Sequence, residues 1–186
     1  MMQKQWLISD PLWDEKLKII LGYYKSNGKT LDLGCGNGYV ISKLSGEKIG
    51  VDNDDESLEL CRQKGLKVIK ADLEKKLNLN YKVDNIICLD VLEHLMHPEI
   101  AVNNAYKNLK RKGIFIASVP YHGLIKNLVI ALLDFNNHYH YTNWHVRFFT
   151  ENTFKELLSK FKIIKIIKIG RFYPLYKNMI AICKKV

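Results

Sequence analysis

The stretch Leu31–Val40 reads LDLGCGNGYV. A short apolar run carrying an acid at Asp32 leads straight into glycines at 34, 36 and 38, followed by Tyr39 and Val40. Glycines between a strand and a helix let a ligand approach the backbone closely, and free amides at a helix start favour polar or anionic groups. Spacing decides which ligand. A dinucleotide loop, G-x-G-x-x-G counted from Gly34, needs glycine at 39, where Tyr39 stands, and no Gly-Lys-Ser/Thr follows as a P-loop requires. A diphosphate ligand is therefore disfavoured, and Asp32, two residues before the first glycine, would repel one.

Moving outward, apolar runs alternate with helical patterns. Residues 30–33, 48–52, 66–72, 83–90 and 113–120 read as strands, several lacking in/out alternation as strands covered on both faces do. Residues 38–45, 55–64 and 98–111 read as helices; the second opens on acids and ends on Lys64 before Gly65, and the third begins Pro98-Glu99. This order predicts an α/β fold with a parallel sheet and right-handed crossovers. Beyond Pro120 the pattern changes: an apolar helix over 123–134, a loop over 135–146 rich in His, Asn and aromatics, a helix over 150–161 with Thr150 as N-cap, and strands over 162–170 and 177–185 joined as an antiparallel hairpin. Residues 1–186 are read as one domain with 120–149 inserted as a cap.

In such a sheet, ligands lie at the carboxyl ends of the strands, and acids stand there. Asp52 ends the second strand, where a carboxylate can accept both hydroxyls of a ribose. Asp72 ends the third, within reach of an adenine amino group. Ribose, adenine and a positive charge without phosphate describe S-adenosylmethionine. The competing structural readings are a plain turn for the glycines, a helix cap for Asp52 and a solvated loop acid for Asp72.

The motifs LDLGCGNG, GVDND, KADLE and DNIICLDVLEHL stand in order, with LKRKGIFIASVP as a fifth strand. Together they resemble the class I S-adenosylmethionine-dependent methyltransferases over residues 29–120, and HVRFFTENTFKELL (145–158) is similar to a segment of their mostly small-molecule branch, which includes the ubiquinone-pathway type. The resemblance implies a Rossmann-like fold: a seven-stranded, mostly parallel sheet with helices on both faces and a C-terminal antiparallel hairpin. It implies that Asp32, Gly34, Cys35 and Gly36 lie at the methionine end of the cofactor and that Gly38 opens the helix. It places Asp52 on the ribose with Asn53 beside it, Asp72 and Leu73 at the adenine, and Leu89 and Asp90 on the methyl-donor side.

The cofactor supplies the chemistry and the protein the placement. A hydroxyl acceptor also needs a base, for which His145, then His122, are the candidates, against the reading of each as a surface or packed histidine. No metal is assigned; an alternative set is Asp90, Glu93 and His94, since some relatives carry an acid-x-x-Glu-His cation site here, although this chain has Asp at the first position. The Asp/Asn-Pro-Pro-aromatic mark of nucleic-acid amino methylation is absent, and Cys88 lies inside a strand, so cytosine-C5 chemistry is not supported.

The net charge of +10 comes mostly from scattered lysines; only Arg62, Arg111, Arg147 and Arg171 are arginines. Lysine is the poorer bidentate binder of phosphate and bases, so nucleic acid is not the expected partner. None of Cys35, Cys61, Cys88 and Cys183 forms a CxxC pair, which reads as a reduced, cytoplasmic protein. No transmembrane segment or signal peptide is seen; residues 124–133 are apolar enough for a weak interfacial membrane contact. The expected activity is methyl transfer to the oxygen or nitrogen of a small molecule, with Leu124, Leu128, Leu132, Phe135, Tyr139, Tyr141 and Trp144 of the cap as an apolar wall. The alternatives are an RNA or protein methyltransferase, and a non-catalytic S-adenosylmethionine-binding partner subunit.

Overall fold

The computed structural model of the chain describes residues 11–138, 140 and 145–186. Tyr139, Tyr141 and Trp144, placed by the sequence in the cap wall, lie outside the described residues.

Seven strands form one sheet: β1 Thr30–Leu33, β2 Lys48–Asp52, β3 Lys67–Lys70, β4 Val83–Leu89, β5 Leu109–Pro120, β6 Lys162–Ile169 and β7 Asn178–Lys184. Their spatial order is β3-β2-β1-β4-β5-β7-β6. The first five run parallel, whereas β7 pairs antiparallel with both β5 and β6. The expected C-terminal hairpin is thus present, and its second strand is inserted between its first and β5. Strand order reverses between β1 and β4, which opens a crevice at their carboxyl ends.

The helices are α1 Pro11–Tyr23, α2 Tyr39–Ser42, α3 Asp55–Gln63, α4 Pro98–Asn108, α5 Leu124–Leu133, α6 Phe135–His138 and α7 Glu151–Leu157. Local signals set their ends. Asp54 caps α3 by accepting from Ser57 N at 2.8 Å, and Thr150 with Thr153 forms a capping box on α7. The sheet is covered on both faces. Leu31, Leu33, Val83, Phe115, Phe154 and Met179 belong to one buried cluster; Ile20, Val40, Ile87, Ile116 and Ile180 belong to the other.

Several elements differ from the sequence reading, among them the short helix α6 where a loop is expected and α7, which ends at Leu157 rather than 161. Helix α1 was not anticipated, yet its Ile20 is fully buried and Leu12, Trp13 and Leu17 pack on the second cluster. The helix expected over 38–45 is a single turn. Strand β5 begins at Leu109 rather than 113, because buried Leu109 pairs with Val83 and Lys110 forms an ion pair with Asp84 at 2.9 Å, so α4 stops at Asn108.

The edge strands account for part of the charge. Lys67 and Lys70 lie on β3 at one edge of the sheet, and Lys162, Lys165 and Lys168 lie on β6 at the other. Lysines on open edges discourage strand pairing with other chains. No helix among the described residues is long and apolar enough to cross a membrane.

Candidate active site

The loop after β1 lies over β2. Gly34 N and Cys35 N both donate to Val51 O, at 2.8 and 3.0 Å, Gly36 N donates to Asp52 Oδ2 at 2.8 Å, and Gly38 N donates to Cys35 O at 2.9 Å. A phosphate-binding loop presents its amides to the ligand; here these four are engaged within the protein. The glycines divide by role. All three have positive φ. At Gly34 a Cβ would overlap Val91, whereas at Gly36 it would meet nothing within 4 Å. Gly34 is bare for packing, and Gly36 bares the backbone to the crevice.

Two acids flank this loop. Asp32 is 4% exposed in β1, and burial, reinforced by the Asp52 charge, raises its pKa to about 8. It is a carboxyl that a nearby cation would ionise. Asp52 is half-buried, and its other oxygen, Oδ1, accepts from Asn53 N at 2.8 Å and Asp54 N at 3.1 Å. It does not cap α3, since Asp54 does. A carboxylate has about four acceptor positions, so Asp52 is fixed in direction and retains capacity for a ligand hydroxyl. Asn53 is exposed beside it. Asp72, after β3, accepts from Glu74 N at 2.9 Å and lies 3.4 Å from Lys75 Nζ, which fits the loop-acid reading as well as an adenine contact. Leu73 is buried.

Across the switch point, β4 ends in buried Leu89, and Asp90 follows with φ +52°. Ser118 Oγ and Asn178 Nδ2 both donate to Asp90 Oδ1 at 2.8 Å, and Lys16 of α1, 1% exposed, pairs with Oδ2. Lys16, Ser118 and Asn178 were not anticipated from the sequence. The available signal for Lys16 was a cation on the apolar stripe Leu12–Trp13–Leu17–Ile20. Helix α1 also reaches the crevice rim through Tyr39 Oη, which donates to Asp14 Oδ1 at 3.0 Å.

Past Asp90 the chain makes one 3-10 turn, Leu92–His94, rather than the helix on which Asp90, Glu93 and His94 would share a face. Val146 N and Arg147 N donate to Glu93 O at 2.9 and 3.0 Å, and Arg147 Nη2 donates to Met96 O at 2.6 Å. These bonds bring His145 to the turn, its ring 5.0 Å from that of His94. Donor atoms of Glu93, His94 and His145 lie within 4.8 Å of one another. Glu93 is 1% exposed and, among the described residues, neither carboxylate oxygen has a hydrogen-bond partner. Burial, then the Asp90 charge, raises its pKa. A buried carboxyl with no donor, facing two imidazoles, fits a divalent cation of the borderline class.

The two histidines proposed as bases differ. His145 is half-buried, and burial and His94 push it down, so it is neutral near pH 7. His122 is 4% exposed, lies 3.3 Å from Asn127 Oδ1 and packs edge-on to Phe148, and burial lowers it to about 4. Its surroundings suit packing at the root of α5. Cys88 is fully buried and burial raises its thiol pKa well above normal, as expected of an inert residue.

The family described as "Methyltransferase domain" matches residues 24–168. Over 102 residues the chain is 31% identical to the ubiquinone biosynthesis O-methyltransferase of Rickettsia bellii, covering 50% of this chain and 42% of that protein. Over 86 residues it is 34% identical to the tabtoxin biosynthesis enzyme of Pseudomonas amygdali pv. tabaci, covering 44% of this chain and 34% of that protein. These matches span less than half the length of either relative. An S-adenosylmethionine-dependent methyltransferase from Clostridium acetobutylicum superposes with a TM-score of 0.71 at 15% identity, covering 96% of this chain and 93% of that one. The magnesium protoporphyrin IX methyltransferase of Synechocystis PCC 6803, solved with bound SAH, gives 0.69 at 17% identity, covering 93% and 81%. At these identities the structural likeness is one of fold.

Proposed function

We propose a small-molecule acceptor, methylated at oxygen or nitrogen, for this chain, which belongs to the methyltransferase-domain family and is a class I S-adenosylmethionine-dependent methyltransferase. The observation that carries the acceptor class is the placement of the positive charge. Lys67 and Lys70 of β3 and Lys162, Lys165 and Lys168 of β6 stand on the two opposite edges of the sheet rather than together on one rim. An RNA substrate would call for such lysines to line one continuous rim. The curated relatives point the same way, being named for ubiquinone and tabtoxin biosynthesis. Residues 1–186 are read as one catalytic domain in which 120–149 caps the acceptor side, and the four free, buried cysteines fit a reducing cytoplasm.

S-adenosylmethionine, when bound, supplies a methyl group on a sulfonium, open to in-line displacement by a nucleophile. The crevice fits it on its own geometry: Gly36 leaves room, and Asp32 is a buried carboxyl in want of a cation. In this reading Gly34, Cys35, Gly36 and Gly38 shape the loop, Asp52 with Asn53 orients the ribose, Asp72 and Leu73 border the adenine, and Leu89 and Asp90 line the methyl side. Lys16 pairs with one oxygen of Asp90 and Ser118 and Asn178 donate to the other, which holds Asp90 in one direction. His145, neutral and held against the 3-10 turn, accepts the proton of an acceptor hydroxyl at its imidazole nitrogen.

The two orphan oxygens of Glu93 favour a second reading of the same residues, in which Glu93, His94 and His145 hold a divalent cation that would polarise the acceptor oxygen. His145 is then a ligand rather than a base. One experiment tests both. Purified protein is given labelled S-adenosylmethionine with a panel of phenols, catechols and amines, and with RNA and a protein extract as separate arms, before and after chelation. Methylation of a small molecule that survives chelation and is lost in His145→Ala supports the base. Loss on chelation, restored by added metal, supports the cation. Labelling of RNA or protein alone sinks the small-molecule reading.

A further inference from the structure

A surface helix normally turns its apolar stripe inward. Helix α5 does the reverse. Its inner side is held by polar anchors: Lys126 Nζ donates to Tyr121 O at 2.6 Å and reaches Lys177 O at 3.4 Å, and Asn127 lies against His122. Its outer side is a leucine stripe at helical spacing, with Leu124 78%, Leu128 52% and Leu132 80% exposed, and Leu133 beside it. None of the ten residues of α5 is buried.

The β6–β7 turn stands next to this helix. Lys126 of α5 touches the backbone of Lys177, and Arg171 and Lys177 both act on the Lys126 charge. Between them Phe172 and Tyr173 are 72% and 74% exposed. Exposed leucines on α5 thus stand near a turn that carries two exposed aromatics and two exposed cations, Arg171 and Lys177, in a chain of net charge +10, while Lys126 faces inward.

The charge selects the occupant. A second copy seated on this face about a two-fold axis would bring the exposed Arg171 and Lys177 of both copies together. An anionic bilayer removes both faults at once, since headgroups take the cations while the acyl boundary takes the leucines and aromatics. Ten residues are about half the ~20 needed to cross a bilayer, so the helix would lie in the plane of the surface. We propose that α5 and the β6–β7 turn form a docking face for an anionic lipid membrane, with Leu124, Leu128, Leu132 and Phe172 entering the headgroup–acyl boundary and Arg171 and Lys177 meeting the headgroups.

The test is co-sedimentation of the full chain with vesicles of phosphatidylcholine containing phosphatidylglycerol, and with vesicles of phosphatidylcholine alone. Expected is at least about tenfold stronger binding to the anionic vesicles, weakened by salt. Leu128→Glu/Leu132→Glu should lose that binding, and Arg171→Glu should reduce it, each with unchanged melting temperature and cofactor affinity. Should the leucine variant fail to fold, Phe172→Ser/Tyr173→Ser carries the same expectation. The proposal is overturned if the wild type stays in the supernatant or binds both vesicles equally. It is equally overturned if folded leucine or turn variants bind like the wild type, or if the wild type is a dimer that the leucine variant dissociates.

Discussion

The loop from Gly34 to Gly38 engages its amides with Val51, Asp52 and Cys35, and a methyl group added at Gly34 would collide with Val91. Helix α5, at the other side of the crevice mouth, buries none of its residues and meets the body of the protein through Lys126, Asn127 and Tyr121. The first region is fixed by backbone bonds and tight packing, the second by a few polar anchors. A donor common to a whole family calls for the first kind of construction, whereas the second can vary from chain to chain without disturbing the sheet.

The sharpest way to break this contrast is inside the loop. Gly34→Ala combines a left-handed backbone with the overlap at Val91, and should destabilise the fold by about 2–5 kcal/mol, read from urea unfolding. Gly36→Ala, two residues on, meets open space and should cost about 1–2 kcal/mol, while weakening S-adenosylmethionine binding by calorimetry. Equal stability losses in the two variants would erase the division of roles between them.

Asp52→Ala comes next. It removes acceptors from Gly36, Asn53 and Asp54, so the loop loses its tie to β2 as the ligand loses its carboxylate. Hydrogen bonds to charged groups are worth about 1.5–3 kcal/mol each, so cofactor affinity should fall on the order of 100-fold in a calorimetric titration. A variant that binds like wild type would remove Asp52 from the site.

Much of this was legible in the sequence, and what was not has a physical reason. The strand expected over 83–90 is β4 over Val83–Leu89, because its run Ile86–Leu89 is buried on both faces of the sheet and continuously apolar, as a doubly covered strand is. The rejection of a phosphate loop rested on Tyr39 and Asp32, and the structure adds the internally bonded amides as the mechanism. Helix α1 escaped because Lys16 interrupts its apolar stripe, and that cation is understandable only through Asp90, 74 residues away. The position of His145 after the cap marks it in the sequence, but its neighbours Glu93 and His94 depend on backbone bonds from Val146 and Arg147 that no local pattern encodes.

A third test separates charge from packing in the loop region. In the folded protein Asp32 holds its proton up to about pH 8, against 3.8 for an ordinary aspartate. A group whose folded pKa is raised stabilises fully below its unfolded pKa and loses that contribution as pH rises through the folded value. Ligand-free wild type should therefore lose melting temperature between about pH 4 and pH 8, relative to Asp32→Asn. A cationic ligand reverses the preference, so S-adenosylmethionine should release a proton from wild type on binding near pH 7, seen as a buffer-dependent binding enthalpy, and none from Asp32→Asn. Parallel melting curves for the two proteins would show that Asp32 is ionised without ligand.

The smallest effect belongs to the other region. Leu132 is 80% exposed while Leu31 in β1 is fully buried. Truncating a buried leucine to alanine typically costs about 2–5 kcal/mol, and an exposed one stays within about 0.5 kcal/mol. Leu31→Ala and Leu132→Ala should differ accordingly in urea unfolding. The same chemical change thus measures what each leucine is for. If Leu132→Ala loses more than 1 kcal/mol, in the range of a buried site, α5 is packed against protein in solution and its leucines belong to the fold. If it loses nothing, the stripe contributes nothing to folding, and its conjunction with Phe172 and Arg171 is left to what the protein meets outside itself.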